Sequence, residues 1–309
     1  MLRFVSKILG SARFFPAALC CGFLAGLIGL IYLYSVDAPL IMIFINGCAL
    51  LIAMLLSLLL RFTLVLDRKS LLVIAGTSAL ILMATAVGGH GIEGANRWFA
   101  IGPFVVQPSL ILLPLIAICY ARKSGSWTSL AVIVSALSMA IQPDRAMAGM
   151  LFLSMLVLCI GQRTQNHFAV TIICAVTFAT TMVIPDRLTA VRFVDHILWT
   201  AFDINIFLGL ALWMGSILLL LPALFAYRRK PESASLVFAA SWFAIISAAA
   251  MGAYPTPIVG YGASSILGYF LSLLIVERAG QSVSIEHEKG FETKAQNESV
   301  RNDFLPASS

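Results

Sequence analysis

The sequence predicts an all-α, polytopic membrane protein, and three observations carry that reading. The chain is 60% hydrophobic and 11% charged over 309 residues, whereas a soluble domain carries roughly one charged residue in four. Its mean hydropathy is +0.97, and its apolar residues are gathered into long runs rather than scattered. The basic residues between those runs fall in alternate connections, as expected of a chain threaded back and forth across a bilayer.

Ten runs are predicted to span the membrane: 14–36, 39–60, 70–88, 108–121, 126–141, 146–161, 167–184, 204–227, 233–252 and 257–276. Those shorter than the ~20 residues needed to cross a bilayer are expected to continue into their flanking loops. The first run follows the basic start MLRFVSKILGSAR, is of spanning length and lacks a small-residue cleavage site, so it reads as an uncleaved first helix. With that start inside, the cytoplasmic connections receive Arg61, Arg68 and Lys69, then Arg122 and Lys123, then Arg163, then Arg228, Arg229 and Lys230, against only Asp67 and Glu232. The outer connections hold Asp37, Glu93, Arg97, Asp144, Arg145, Asp186, Arg187, Arg192 and Asp195, with Asp203 at the edge of a run, and no lysine. Both termini are therefore expected in the cytoplasm.

Residues 1–277 read as one membrane domain, and residues 278–309, charged and poor in apolar side chains, as a disordered cytoplasmic tail. The six cysteines all lie inside apolar runs, which argues against a disulfide framework or a thiolate metal site and for small buried hydrophobes.

Four outer segments could carry chemistry. In Gly94 to Ser109, GANRWFAIGPFVVQPS, a polar and kinked stretch stands between two apolar runs, a costly arrangement unless it faces water or a polar ligand. Arg97 and Trp98 fit an interfacial anchor pair. They equally fit a diphosphate site, since the fork of arginine matches phosphate oxygens better than the point charge of lysine. In Gln142-Pro143-Asp144-Arg145, proline breaks the helix and Asp144 stands ready to cap the next one. Pro185 to Asp203 is the most charged outer segment, where Asp195, Asp203 and His196 could move a proton or pair with Arg187 and Arg192. Tyr254 to Ser265 is uncharged, and its small residues from Gly260 to Ser265 allow close helix approach.

The order and spacing of these segments resemble the SEDS family (shape, elongation, division and sporulation), the membrane-embedded polymerases of bacterial peptidoglycan. The family's G-x-x-R-W and Q-P-S-E are similar to Gly94-Ala95-Asn96-Arg97-Trp98 and Gln107-Pro108-Ser109; its Q-P-D-L-G-T to Gln142-Pro143-Asp144-Arg145-Ala146-Met147; its S-Y-G-G-S-S to Gly260-Tyr261-Gly262-Ala263-Ser264-Ser265. Four departures stand against these matches. Leu110 and Leu113 replace a glutamate and a lysine, Ala201 of Thr200-Ala201-Phe202 stands where the catalytic aspartate of a T-D-F motif belongs, and the large outer loop before that motif is reduced to 185–200.

The resemblance implies ten helices, residence in the bacterial inner membrane, and an undecaprenyl-diphosphate-linked precursor (lipid II) at the outer leaflet. Its substrate contacts would be Arg97, Trp98, Gln107, Ser109, Arg145, Arg187, Arg192, Tyr261, Ser264 and Ser265. A glycosyltransferase would need a relocated base, with Asp203 ahead of Asp195 and Asp144, and could use a divalent metal ion, Mg or Mn. Asp203 lies two residues past Ala201, about 200° around a helix. The implied partners are membrane lipids and a single-span class B penicillin-binding transpeptidase, with no nucleic acid. The rival readings are a catalytically silent scaffold or regulator and, last, a flippase for lipid-linked sugars; the absence of charge near the middle of any run speaks against transport.

Overall fold

The structure is a computed structural model and describes residues 14–64, 66–92, 95–101, 104–184 and 190–276. Among the described residues seven helices are long and apolar enough to cross a membrane, and three shorter apolar helices occupy the remaining predicted runs. In chain order the described helices begin with α1 (Phe14–Ser35), α2 (Leu40–Thr63) and α3 (Arg68–Gly88). After a small sheet come α4 (Pro108–Arg122), α5 (Ser126–Ile141), α6 (Arg145–Gln162) and α7 (Gln165–Val183). A short α8 (Ile197–Ile204) precedes α9 (Ile206–Leu218) and α10 (Leu221–Arg229), which together form one span. The bundle closes with α11 (Ser233–Met251) and α12 (Ala263–Val276). Residues 1–13 and 277–309, and with them the boundary and the tail predicted at 278, lie outside the described residues.

The bundle is organised around α11, which packs on α4 and α6, while α2 touches chiefly α1 and leaves most of its surface to lipid. Lipid offers no hydrophobic drive for helices to associate, so close packing must do it. Gly268 illustrates this: a Cβ there would come within 2.2 Å of the Leu110 carbonyl oxygen, so α12 approaches α4 at a distance only glycine permits. At the centre, the rings of Trp242 and Tyr269 meet edge-on at 5.2 Å, and Trp242 donates to Ser272 Oγ at 3.2 Å. Each buried polar ring group thereby finds the partner that burial demands.

Two features depart from the sequence expectation. The predicted run 204–227 is broken at Leu219 and Leu220, because Pro222 supplies no amide to the preceding turn. Tyr269 Oη donates to the Leu219 carbonyl at 3.0 Å, within the break. The expected kinked loop after α3 is instead a three-stranded antiparallel sheet, β1 (His90–Ile92), β2 (Ala95–Ile101) and β3 (Phe104–Val106). The register pairs His90 with Trp98 and Ala100 with Val105, with an irregularity after His90. Aromatic and β-branched residues in WFAI and FVV favour strands, and the ladder satisfies backbone groups that the lipid interface would leave bare.

Candidate functional site

Three of the four outer segments meet at Gln107, the residue before α4. Its backbone amide donates to Ser264 Oγ at 3.0 Å, which ties β3 and α4 to the start of α12. Its side-chain amide donates to Tyr254 Oη at 2.9 Å, to Asp144 Oδ2 at 3.2 Å and to Ser109 Oγ at 3.2 Å. Ser109 Oγ donates in turn to Asp144 Oδ2 at 3.3 Å. All of these side chains are buried. Pro108 at the first position of α4 explains the local geometry, since it ends the extended strand at Gln107 and opens a helix without needing an amide.

Asp144 caps α6 as its sequence position predicts, accepting from the Met147 amide at 3.2 Å through Oδ1 while Oδ2 faces Gln107 and Ser109. Arg97 is not the snorkelling anchor that an interfacial Arg-Trp pair suggests. It is only 3% exposed and donates to the carbonyls of Gln142 at 3.5 Å and of Pro143, so β2 is clamped to the α5–α6 connection. Trp98, its neighbour, is half-buried. Arg145 turns away from this cluster: it donates to the carbonyls of Thr181 at 3.1 Å and Ile184 at 2.5 Å at the end of α7, a helix-terminus contact.

Burial, and then the Asp144 carboxylate beside it, push the Tyr254 hydroxyl well above the ordinary phenol range, against the opposing effects of Arg97 and of the hydrogen bonds from Gln107 and Ser109. Tyr254 is thus a neutral hydroxyl, able to accept from Gln107. Two further buried oxygens here, Gln142 Oε1 and Thr256 Oγ1, have no hydrogen-bond partner in the described residues.

The segment around α8 is built differently. Residues 193–194 dock on the stretch before α12, with Thr256 N donating to the Val194 carbonyl and Tyr261 N to that of Phe193, both at 3.1 Å. Ser265 Oγ accepts from the Ile258 amide at 3.2 Å and donates to the Gly262 carbonyl at 3.0 Å, so it shapes this turn. Asp195 accepts from the Val191 amide at 2.7 Å while its other oxygen is buried without a partner. Burial raises its pKa, opposed by the Val191 hydrogen bond and by His196. Arg192 is exposed and stands 4.7 Å over the Phe193 ring. Ala201 is fully buried, and Asp203 sits on the exposed side of α8, on the opposite face as the ~200° separation requires. Asp203 is therefore apart from the Gln107 cluster, and Arg187 lies outside the described residues. Among the described residues no three of His, Cys, Asp and Glu come together.

The sequence reading missed two members of this end. Tyr254 stood in a stretch read for its small residues, although a tyrosine entering a membrane-edge loop already needs a partner for its hydroxyl. Asn46 lies in α2, donates to the Gly260 carbonyl at 2.8 Å and accepts from the Gly262 amide at 3.1 Å. A lone amide inside an apolar run was the signal that could have found it.

No family profile and no curated protein sequence matches this chain. Solved structures do. The rod shape determining protein RodA of Thermus thermophilus matches with a TM-score of 0.57 at 20% identity, covering 87% of this chain and 96% of its own. An aspartate-to-alanine variant of that protein matches with a TM-score of 0.57 at 21% identity over the same shares. A chain from a peptidoglycan synthase complex, described for its coordination of polymerization and crosslinking, matches with a TM-score of 0.53 at 20% identity, over 87% of this chain and 97% of its own. The fold is thus that of an all-α, polytopic membrane protein matched over nearly its whole length. Its architecture is SEDS-like, as the order of the sequence motifs predicts.

Proposed function

We propose that this chain serves bacterial cell-wall assembly from the inner membrane and that its outer end receives an undecaprenyl-diphosphate-linked peptidoglycan precursor. The observation that carries this reading is the convergence on Gln107 of three segments that resemble family motifs: Gln107 and Ser109, Asp144, and Ser264. The names of the structural neighbours, a rod shape determining protein and a peptidoglycan synthase complex, agree with it. The partner that fits is a single-span class B penicillin-binding transpeptidase.

Glycan polymerisation needs a carboxylate to take the proton of the attacking sugar hydroxyl and cations to stabilise the departing diphosphate. Arginines stand at this end in Arg97 and the exposed Arg192. The carboxylates fit less well. Asp144 is engaged as a helix cap and as acceptor for Gln107 and Ser109, Asp195 is half-buried, and Asp203 is exposed on α8. Ala201, in the place the resemblance assigns to the catalytic aspartate, is fully buried. This favours a member that binds the lipid precursor or its partner over an active polymerase, and no step is assigned to a metal.

The test is a fluorescent lipid-linked disaccharide precursor offered to the purified full chain, with a transpeptidase partner present, reading binding and glycan chains separately. The binding form predicts saturable binding without chains, and chains appearing with Ala201→Asp. Chains from the native protein that vanish with Asp203→Ala would establish the polymerase with a displaced base. No binding at all would sink the proposal.

A further inference from the structure

At the opposite end, which the basic connections predict to be cytoplasmic, a cavity of about 240 Å³ opens between α6, α10 and α11. Its walls are apolar where Val157, Leu158, Leu236 and Val237 face it, and Gly161, Tyr227 and Ser233 are among the residues that line the rest. A Cβ placed on Gly161 would meet nothing within 4 Å, so no neighbouring side chain fills the space beside this glycine. The space opens to the surface at the exposed Gly161, and its aliphatic wall beside lipid offers a seat for hydrocarbon while its polar lining faces the charged turn.

The turn between Tyr227 and Ser233, two residues that line this cavity, is charged. Arg228, Arg229 and Lys230 are all exposed there. One carboxylate, Glu232, opposes them and pairs with Lys230 at 2.8 Å, which leaves the turn net positive. Basic residues beside pockets between helices on the cytoplasmic side attract anionic headgroups of that leaflet. We propose that the cavity holds an acyl segment of an anionic phospholipid of the cytoplasmic leaflet, with the lipid phosphate against Arg228 and Arg229. The site is independent of the reading of the outer end.

The experiment uses the full chain in detergent and native mass spectrometry with dioctanoyl phosphatidylglycerol, dioctanoyl phosphatidylcholine or inorganic phosphate. One phosphatidylglycerol is expected to bind at concentrations about tenfold below those needed for phosphatidylcholine, a preference that weakens as salt screens the headgroup. Gly161→Leu fills the cavity from its open side and is expected to weaken phosphatidylglycerol binding at least tenfold. Arg228→Gln with Arg229→Gln is expected to abolish the preference between the two lipids while leaving phosphatidylcholine binding in place. Val157→Phe fills the same space from α6 and gives a second reading should Gly161→Leu fail to fold. Unchanged phosphatidylglycerol binding in a folded cavity-filling variant would overturn the proposal. Equal binding of the two lipids by the native protein, or displacement of the lipid by inorganic phosphate alone, would overturn it too.

Discussion

The two halves of the outer end are built on opposite principles. Around Gln107, polar side chains from three connections are buried and bonded to one another, so the sequence motifs there survive as a closed network. Around α8, Ala201 is packed into the core, and the nearby carboxylates are exposed or held by a single backbone amide. The contrast teaches that polar groups which tie segments together are held by burial and mutual bonding, whereas carboxylates without such partners stand alone. Buried polar networks are costly to break in part, because each member removed strands the others. An exposed or lone carboxylate carries no such penalty.

The largest expected effect comes from breaking the first half. Asp144→Ala removes the cap of α6 and strands donors on Gln107 and Ser109; from about 1 kcal/mol for the cap and about 1–3 kcal/mol for the stranded groups, it should lower unfolding stability by roughly 2–4 kcal/mol. Detergent-solubilised thermal or denaturant melts would check this, and a loss under ~1 kcal/mol would show that the network is not structural. Tyr254→Phe should cost about 1 kcal/mol, since only the hydroxyl accepting from Gln107 is lost.

Arg145→Gln sharpens the comparison from another side. It gives up the contacts to the Thr181 and Ile184 carbonyls, worth roughly 1 kcal/mol at a helix terminus, and should leave precursor affinity unchanged. An affinity loss in a binding titration as large as that of Arg97→Gln would bring Arg145 back into the site.

The smallest effect belongs to the second half. Because burial raises the pKa of Asp195, its protonated form favours the fold: its contribution is full below the unfolded carboxylate range and is lost as pH rises through the raised folded value. Asp195→Asn should therefore match the native protein in acid and exceed its stability at pH 7, by under about 1 kcal/mol given the partial exposure. Melts at both pH values would decide it, and a variant less stable than the native protein at pH 7 would reverse the sign.

Much of the fold was legible in the residues. Apolar runs located the long helices, seven of them able to span a membrane among the described residues, to within a few residues, save the last, whose helix begins at Ala263 rather than at 257. Asp144 as a cap followed from the proline before it, and the 200° offset between Ala201 and Asp203 from helix geometry alone. Illegible were the sheet at 90–106, whose pairing depends on which residues lie opposite one another, and the break at Leu219, whose carbonyl meets Tyr269 from a distant helix.

What the sequence determined by itself was therefore the apolar runs and the helix boundaries, because transfer into lipid and capping act on residues near in the chain. Only the tertiary structure decided which polar residues belong together. Arg97 and Arg145 are both outer arginines beside motif residues, yet one is buried against the α5–α6 connection and the other caps α7. That choice is made by contacts between segments dozens of residues apart, where burial turns a weak local preference into a bond that cannot be left unmade.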